Sequence, residues 1–201
     1  MNTEDTVLQD QERRLTWIRR LLPGLLVLIP LLYLVTLART PVLGDPTEYT
    51  LVAHVWGIAH PPGYAFITLL GKLFQTLIPV GDIPWRMHLL SAVAAFVAAL
   101  AVYGVVRALT TNSVSADRPA PLWSIIAALF AAFTVATATD FWQHAIHANP
   151  HIITATFLAV NLYLLTRFWL ADRTAVRRPP SAVPTSRSPV PRPRSDYWLF
   201  A

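Results

Sequence analysis

The sequence predicts an all-α integral membrane protein with about four transmembrane helices and a partly embedded juxtamembrane helix. Three observations carry that prediction. First, 54 % of the 201 residues are hydrophobic and only 13 % charged, with a mean hydropathy of +0.46, whereas a soluble domain is about a quarter charged. Second, the apolar residues fall in uncharged runs of roughly bilayer-spanning length. Third, fifteen of the sixteen basic residues are Arg and cluster beside those runs. That is the pattern of topology signals rather than of a nucleic-acid surface, despite a net charge of +5 and a pI near 10.1. The lipid bilayer is the implied partner, with no nucleic acid. A chain without cysteine has no disulfide scaffold, thiolate zinc site or cysteine nucleophile.

The first span, 21–38, holds eighteen uncharged residues, about 27 Å of helix against a hydrocarbon core of about 30 Å. Arg13, Arg14, Arg19 and Arg20 precede it, and Arg39-Thr40-Pro41 after it lacks the small residues of a signal-peptide cleavage site. The run is therefore a retained anchor, with residues 1–20 on the cytoplasmic side. Pro23 falls in its first turn at little cost, while Pro30 lies inside and predicts a kink. Residues 39–84 form an outer loop with juxtamembrane helices. Within it, Tyr64 to Ile78 gives only about 22 Å of helix and contains Lys72, too short and too polar to cross. Further spans follow at 85–107, 119–139 and 150–168, with a second outer loop at 140–149.

Charge fixes this order. With Tyr64 to Ile78 outside the count of spans, thirteen of the sixteen basic residues lie on the cytoplasmic side; if that segment crossed, the Arg167 to Arg194 cluster would move outside and the bias would invert. The prediction is a multi-pass protein of the cell inner or plasma membrane, both chain ends cytoplasmic. Residues 171–195, with six Pro and six Arg, have nothing to bury and predict a disordered cytoplasmic linker drawn to anionic lipid. Tyr197-Trp198-Leu199-Phe200-Ala201 at 196–201 predicts the start of a further membrane helix, and so of a longer protein.

All six histidines fall in or beside the two outer loops, so the polar chemistry is placed on the outer face. Gly44-Asp45-Pro46-Thr47-Glu48-Tyr49 puts two carboxylates three residues apart. A capping box accounts for them fully, with Asp45 as N-cap, Pro46 at the first helical position and Glu48 reaching back. From spacing alone capping is the stronger reading and catalysis the second, and both roles are compatible if Glu48 caps while Asp45 faces a cavity. His144, His147 and His151 have the three and four spacing of one helix face, but Pro150 interrupts it and no carboxylate completes a ligand set. Polar lining for a phosphate or sugar, or plain packing, is the expectation there, with no metal and no cofactor. Asn161, inside a span, is expected to hydrogen-bond a neighbouring helix.

Gly-Asp-x-x-Glu, His60-Pro61-Pro62-Gly63-Tyr64, Leu70-Gly71-Lys72-Leu73-Phe74, Pro84-Trp85-Arg86-Met87-His88 and Phe141-Trp142-Gln143-His144-Ala145 together resemble the N-terminal region of a family. It is a family of bacterial membrane proteins of unassigned function related to protein O-mannosyltransferases, in the same group as the animal enzyme that mannosylates plexin-type receptor domains. The resemblance covers about Leu21 to Thr166. It implies the glycosyltransferase C superfold: an enzyme that moves a sugar, mannose or a similar hexose, from a polyprenyl-phosphate donor to a protein or glycan hydroxyl on the outer face. It further implies that Asp45 is the catalytic base, since a carboxylate within reach of a hydroxyl can take its proton as the lipid phosphate leaves. Glu48, His60, Tyr64 and His144 are the implied supporting residues, and Lys72, Arg86 or a protonated histidine the cations for the leaving phosphate. The chain departs from the family at Ala148-Asn149-Pro150-His151, where relatives have an acidic residue, at Ala65 for Pro and at His88 for Asn. Asp140 is a candidate for the missing carboxylate, with an N-cap or interfacial charge as the plainer reading. Two other classes fit the same topology: a polyprenyl-linked sugar transporter or flippase, and a non-catalytic truncated fragment. No internal repeat supports the former. Four spans are few to enclose both donor and acceptor, so the isolated chain is expected to be inactive.

Overall fold

The computed structural model describes residues 3–61, 64–111 and 121–176, with backbone alone at 3–8 and 173–176. Every regular element among them is helical: α1 (Thr3–Leu21), a 3₁₀ segment (Leu22–Val27), α2 (Leu28–Thr36), α3 (Asp45–Val55), α4 (Ala65–Leu77), α5 (Ile83–Thr111), α6 (Leu122–Thr137), α7 (Thr139–Ala145) and α8 (Pro150–Val176). Gln9–Thr36, Ile83–Thr111 and Pro150–Asp172 are each long and apolar enough to cross a membrane. The α6 and α7 pair, bent by 69°, makes a fourth candidate. The protein is thus an all-α multi-pass membrane protein. Helix α4, with thirteen residues, is apolar but falls short of a span.

Helix ends differ from those read in the sequence. The first helical run begins at Thr3 rather than near residue 21, because the Arg- and Glu-containing stretch before the apolar run is itself good helix-forming sequence. Pro30 has no N–H to give and crowds the Leu26 carbonyl. The chain meets this with the 3₁₀ segment that ends just before α2, and the run still qualifies as one span. Residues 140–145, expected in a loop, belong to α7, which begins at Thr139 after Ala138 turns extended (φ −56°, ψ 128°). Helix α8 carries on to Val176, taking in the first residues of the predicted linker. The rest of that linker, the 196–201 segment and most of the 107–119 connection lie outside the described residues.

The core is built on α5, which packs against α8, α6, α4 and α2. Beyond Met87, His88 and Leu90 its buried residues are small, Ser91, Ala92, Ala94, Ala95, Ala98, Ala99 and Ala101, and those of α6, which packs on it, include Ser124, Ala128, Ala132 and Ala136. In lipid, apolar side chains gain little by leaving one apolar medium for another, so helices associate through close backbone approach, which small residues permit. Interhelical hydrogen bonds add to it, each worth about 0.6 kcal/mol on average. The Tyr33 hydroxyl donates to the Ala136 carbonyl at 2.9 Å and Thr156 Oγ1 to the Ala94 carbonyl at 2.8 Å. Asn161 does not share this role. Its Nδ2 returns to the Phe157 carbonyl of its own helix at 2.8 Å, on an exposed face, which satisfies the amide locally.

One end of the bundle gathers the polar loops. The Ala38 N–H donates to the Ile146 carbonyl at 3.1 Å, and Trp142 Nε1 to Thr36 Oγ1 at 3.1 Å. Buried His88 completes the clasp: the Ala148 N–H donates to its Nδ1 at 2.9 Å, which assigns the ring proton to Nε2, 3.3 Å from the Thr40 carbonyl. A neutral imidazole thereby ties the segment after α2 to the segment before α8. Sequence reading noted His88 only as a departure from its relatives, yet Asn would offer the same pair of one donor and one acceptor.

Candidate functional site

Helix α3 starts at Gly44, whose φ of 89° suits a residue without Cβ and whose carbonyl accepts from the Thr47 and Glu48 N–H groups at 3.1 and 3.5 Å. Gly44 is therefore the N-cap, and Asp45 is the first helical residue. The capping box is corrected by this one-residue shift. Glu48 stands a position too late to reach back, and no side chain caps α3. Asp45 keeps the general benefit of an anion in a first helical turn, is exposed, and accepts no hydrogen bond from any described side chain.

Glu48 has a different partner. After Val55 the chain turns through Trp56 in the left-handed region (φ 58°, ψ 38°), with the Gly57 N–H closing on the Val52 carbonyl at 2.8 Å. The reversal carries His60 back along α3, twelve residues after Glu48 in sequence. The His60 backbone N–H donates to Glu48 Oε1 at 2.7 Å, and its Nδ1 lies 2.8 Å from Oε2. These bonds hold the Glu48 carboxyl below its usual range, and the side-chain bond to Glu48 raises the His60 imidazole above its own. Tyr64, also left-handed (φ 46°, ψ 42°), opens α4. A non-glycine residue there carries strain, and such positions concentrate at functional sites. Its ring, the His60 ring and the buried Tyr49 ring form a triangle with centroids 5.3 to 5.9 Å apart. Burial raises the Tyr49 hydroxyl well above its ordinary value.

Asp45, Glu48 and His60 each offer a ligand atom, all within 4.8 Å of one another. They could converge on a divalent cation, a role that sequence reading considered only for His144, His147 and His151 and set aside there. Those three are split between α7, a loop and α8.

The remaining predicted residues lie elsewhere. Lys72 Nζ donates to the His54 carbonyl at 2.7 Å and lies 5.7 Å from the Trp56 ring centroid, closing the C-terminus of α3. Arg86 spends its guanidinium on the Val80, Gly81 and Gln75 carbonyls at 3.2, 3.1 and 2.8 Å, closing the turn from α4 to α5. His144 lies over its own helix, with Nδ1 2.7 Å from the Asp140 carbonyl, and shares a cavity of about 250 Å³ with Asp140 and His151. The structure thus joins Asp45, Glu48, His60 and Tyr64 and gives Lys72, Arg86 and His144 other partners. Tyr49 is the residue that sequence reading missed. Its signal was its place beside Glu48 in the same motif.

Residues 45–187 match the family described as the Protein O-mannosyl-transferase TMEM260 N-terminal domain. The chain is 32 % identical over 136 residues to the Protein O-mannosyl-transferase TMEM260 of Mus musculus, an alignment covering 68 % of this chain and 18 % of that one. It is 25 % identical over 194 residues to the Dictyostelium discoideum protein of the same description, covering 86 % and 22 %. The chain therefore spans about a fifth of the length of these curated relatives. No solved structure matches it.

Proposed function

The chain belongs to the family of the TMEM260-type protein O-mannosyl-transferase N-terminal domain, and from that premise we propose that it carries the general base of a membrane glycosyltransferase, Asp45. In this reading the carboxylate takes the proton of an acceptor hydroxyl on a protein or glycan. The hydroxyl oxygen then bonds to the anomeric carbon of a mannose or similar hexose, and the bond from that carbon to the polyprenyl phosphate breaks with its electron pair leaving on the phosphate. Attack opposite the leaving group inverts the centre. One observation supports the assignment: of two carboxylates on one helical turn, Glu48 is held by both the backbone and the ring of His60, while Asp45, close by, is exposed and accepts no hydrogen bond from a described side chain.

Glu48 then has a positioning role, keeping His60 and the adjoining Tyr64 against α3. His60, whose protonated form Glu48 favours, becomes the cation nearest the reacting groups, since Lys72 and Arg86 serve carbonyls. The chemistry needs no metal. Thirteen of sixteen basic residues on the far side of the spans support a cytoplasmic N-terminus and an Asp45 loop on the outer face of the membrane. To test this reading, the complete protein in nanodiscs is offered radiolabelled mannose on a polyprenyl phosphate or on a nucleoside diphosphate, with an acceptor domain. Transfer from the polyprenyl donor alone is the expected result; transfer from the nucleotide donor alone overturns the donor assignment.

A further inference from the structure

A groove of about 530 Å³ runs between α5 and α8, at the end of the bundle away from Asp45. Twenty-one residues of continuous helix separate Arg86 from Arg107, about 32 Å of rise, which is one hydrocarbon thickness. Arg107 therefore lies at the opposite membrane boundary from the acidic loop. The groove wall toward the membrane interior is apolar, with Val97, Leu100 and Val160, and its far end carries Arg107 and Arg167. Gly104 sets its depth. A Cβ there would fall 2.7 Å from the Tyr163 ring, so only glycine lets that ring lie against α5.

The two guanidiniums are unbalanced. Arg107 gives Nη1 to Ser124 Oγ at 2.8 Å and has further donors to offer. Arg167 is exposed, and neither has a carboxylate partner among the described residues. Two guanidiniums at the hydrocarbon boundary are costly against another apolar helix and match the geometry and charge of a phosphate.

We propose that this groove seats one anionic phospholipid, its phosphate between Arg107 and Arg167 and its acyl chain along the wall of Val97, Leu100 and Val160. The seat is independent of the transfer reaction and belongs to the other leaflet. Basic pockets between membrane helices take lipid headgroups in this way.

Native mass spectrometry of the complete protein, released from detergent and titrated with phosphatidylglycerol or phosphatidylcholine, tests the proposal. One phosphatidylglycerol is expected to stay bound in preference to phosphatidylcholine. Arg167→Gln, which breaks no ion pair among the described residues, should weaken that binding roughly fivefold or more. Leu100→Trp should weaken it by filling the wall while both arginines remain, and Arg14→Gln should leave it unchanged. Equal retention of the two lipids, or an Arg167→Gln variant that binds phosphatidylglycerol as the parent does, overturns the proposal. So does a Leu100→Cys side chain that stays closed to maleimide in lipid-free detergent, which would show that another helix of the protein fills the groove.

Discussion

Glu48 and His60 set each other's charge, and the sign of the effect can be followed in pH. The Glu48 carboxyl is lowered from its ordinary 4.5, so its share of loop stability is present above that value and is lost as pH falls through the lowered one. The His60 imidazole is raised from 6.5, so its share is complete below that value and is lost as pH rises through the raised one. The loop should be best ordered between those two ordinary values. His60 ring signals in NMR should titrate with a midpoint above 6.5, and Glu48→Gln should return it toward the ordinary value; an unchanged midpoint in the variant would remove Glu48 as the cause. Transfer should also persist after divalent ions are chelated, because both Glu48 oxygens already serve His60. Loss of activity on chelation, restored by one added metal, would make Asp45, Glu48 and His60 a ligand set instead. At this scale the sequence displayed Asp45, Glu48, His60 and Tyr64 because they share short motifs and one loop. It could not display the roles of Lys72 and Arg86, whose acceptors are backbone carbonyls that exist at those places only once α3 and α4 have ended there.

Helices α3, α4 and α5 hold the acidic turn in place, and at Gly71 they approach one another closely. A Cβ on Gly71 would stand 2.5 Å from Met87 Sδ and 3.0 Å from the Ala53 Cβ. The sulfur is the movable end of a side chain, but Met87 is wholly buried and the Ala53 Cβ moves only with its helix. Gly71→Ala gains about 1 kcal/mol in helix propensity and meets an overpacking cost of about 1–3 kcal/mol. A net loss of up to about 2 kcal/mol is expected, seen as a lower Tm in detergent; a raised Tm would mean that the three helices have room to part. The elements were legible wherever apolar runs were long, since hydropathy is a property of the chain alone. Their ends were less so. The Ala138 bend, the start at Thr3 and the run to Val176 depend on which backbone groups find partners, and Asn161 chose its own helix where a neighbour was expected.

For the whole molecule, span order follows from the sequence, but sidedness rests on the arginine bias alone. Leu43, 97 % exposed beside the acidic turn, is a suitable reporter: Leu43→Cys should react with an impermeant maleimide added from outside intact cells, and Ser186→Cys only after the membrane is opened. The reverse pattern would place the Asp45 turn in the cytoplasm and end the outer-face reading. The claim on which the rest depends is that Asp45 removes the acceptor's proton, and turnover of Asp45→Asn in the complete protein, beside Glu48→Gln, tests it most directly. Asn keeps the size of the side chain at the first helical position and removes the base. Transfer should fall by roughly a hundredfold or more with donor binding and Tm retained, whereas Glu48→Gln, which disturbs position only, should fall less. An Asp45→Asn enzyme that turns over as the parent does would contradict the account and move the search for the base to Glu48 or Asp140.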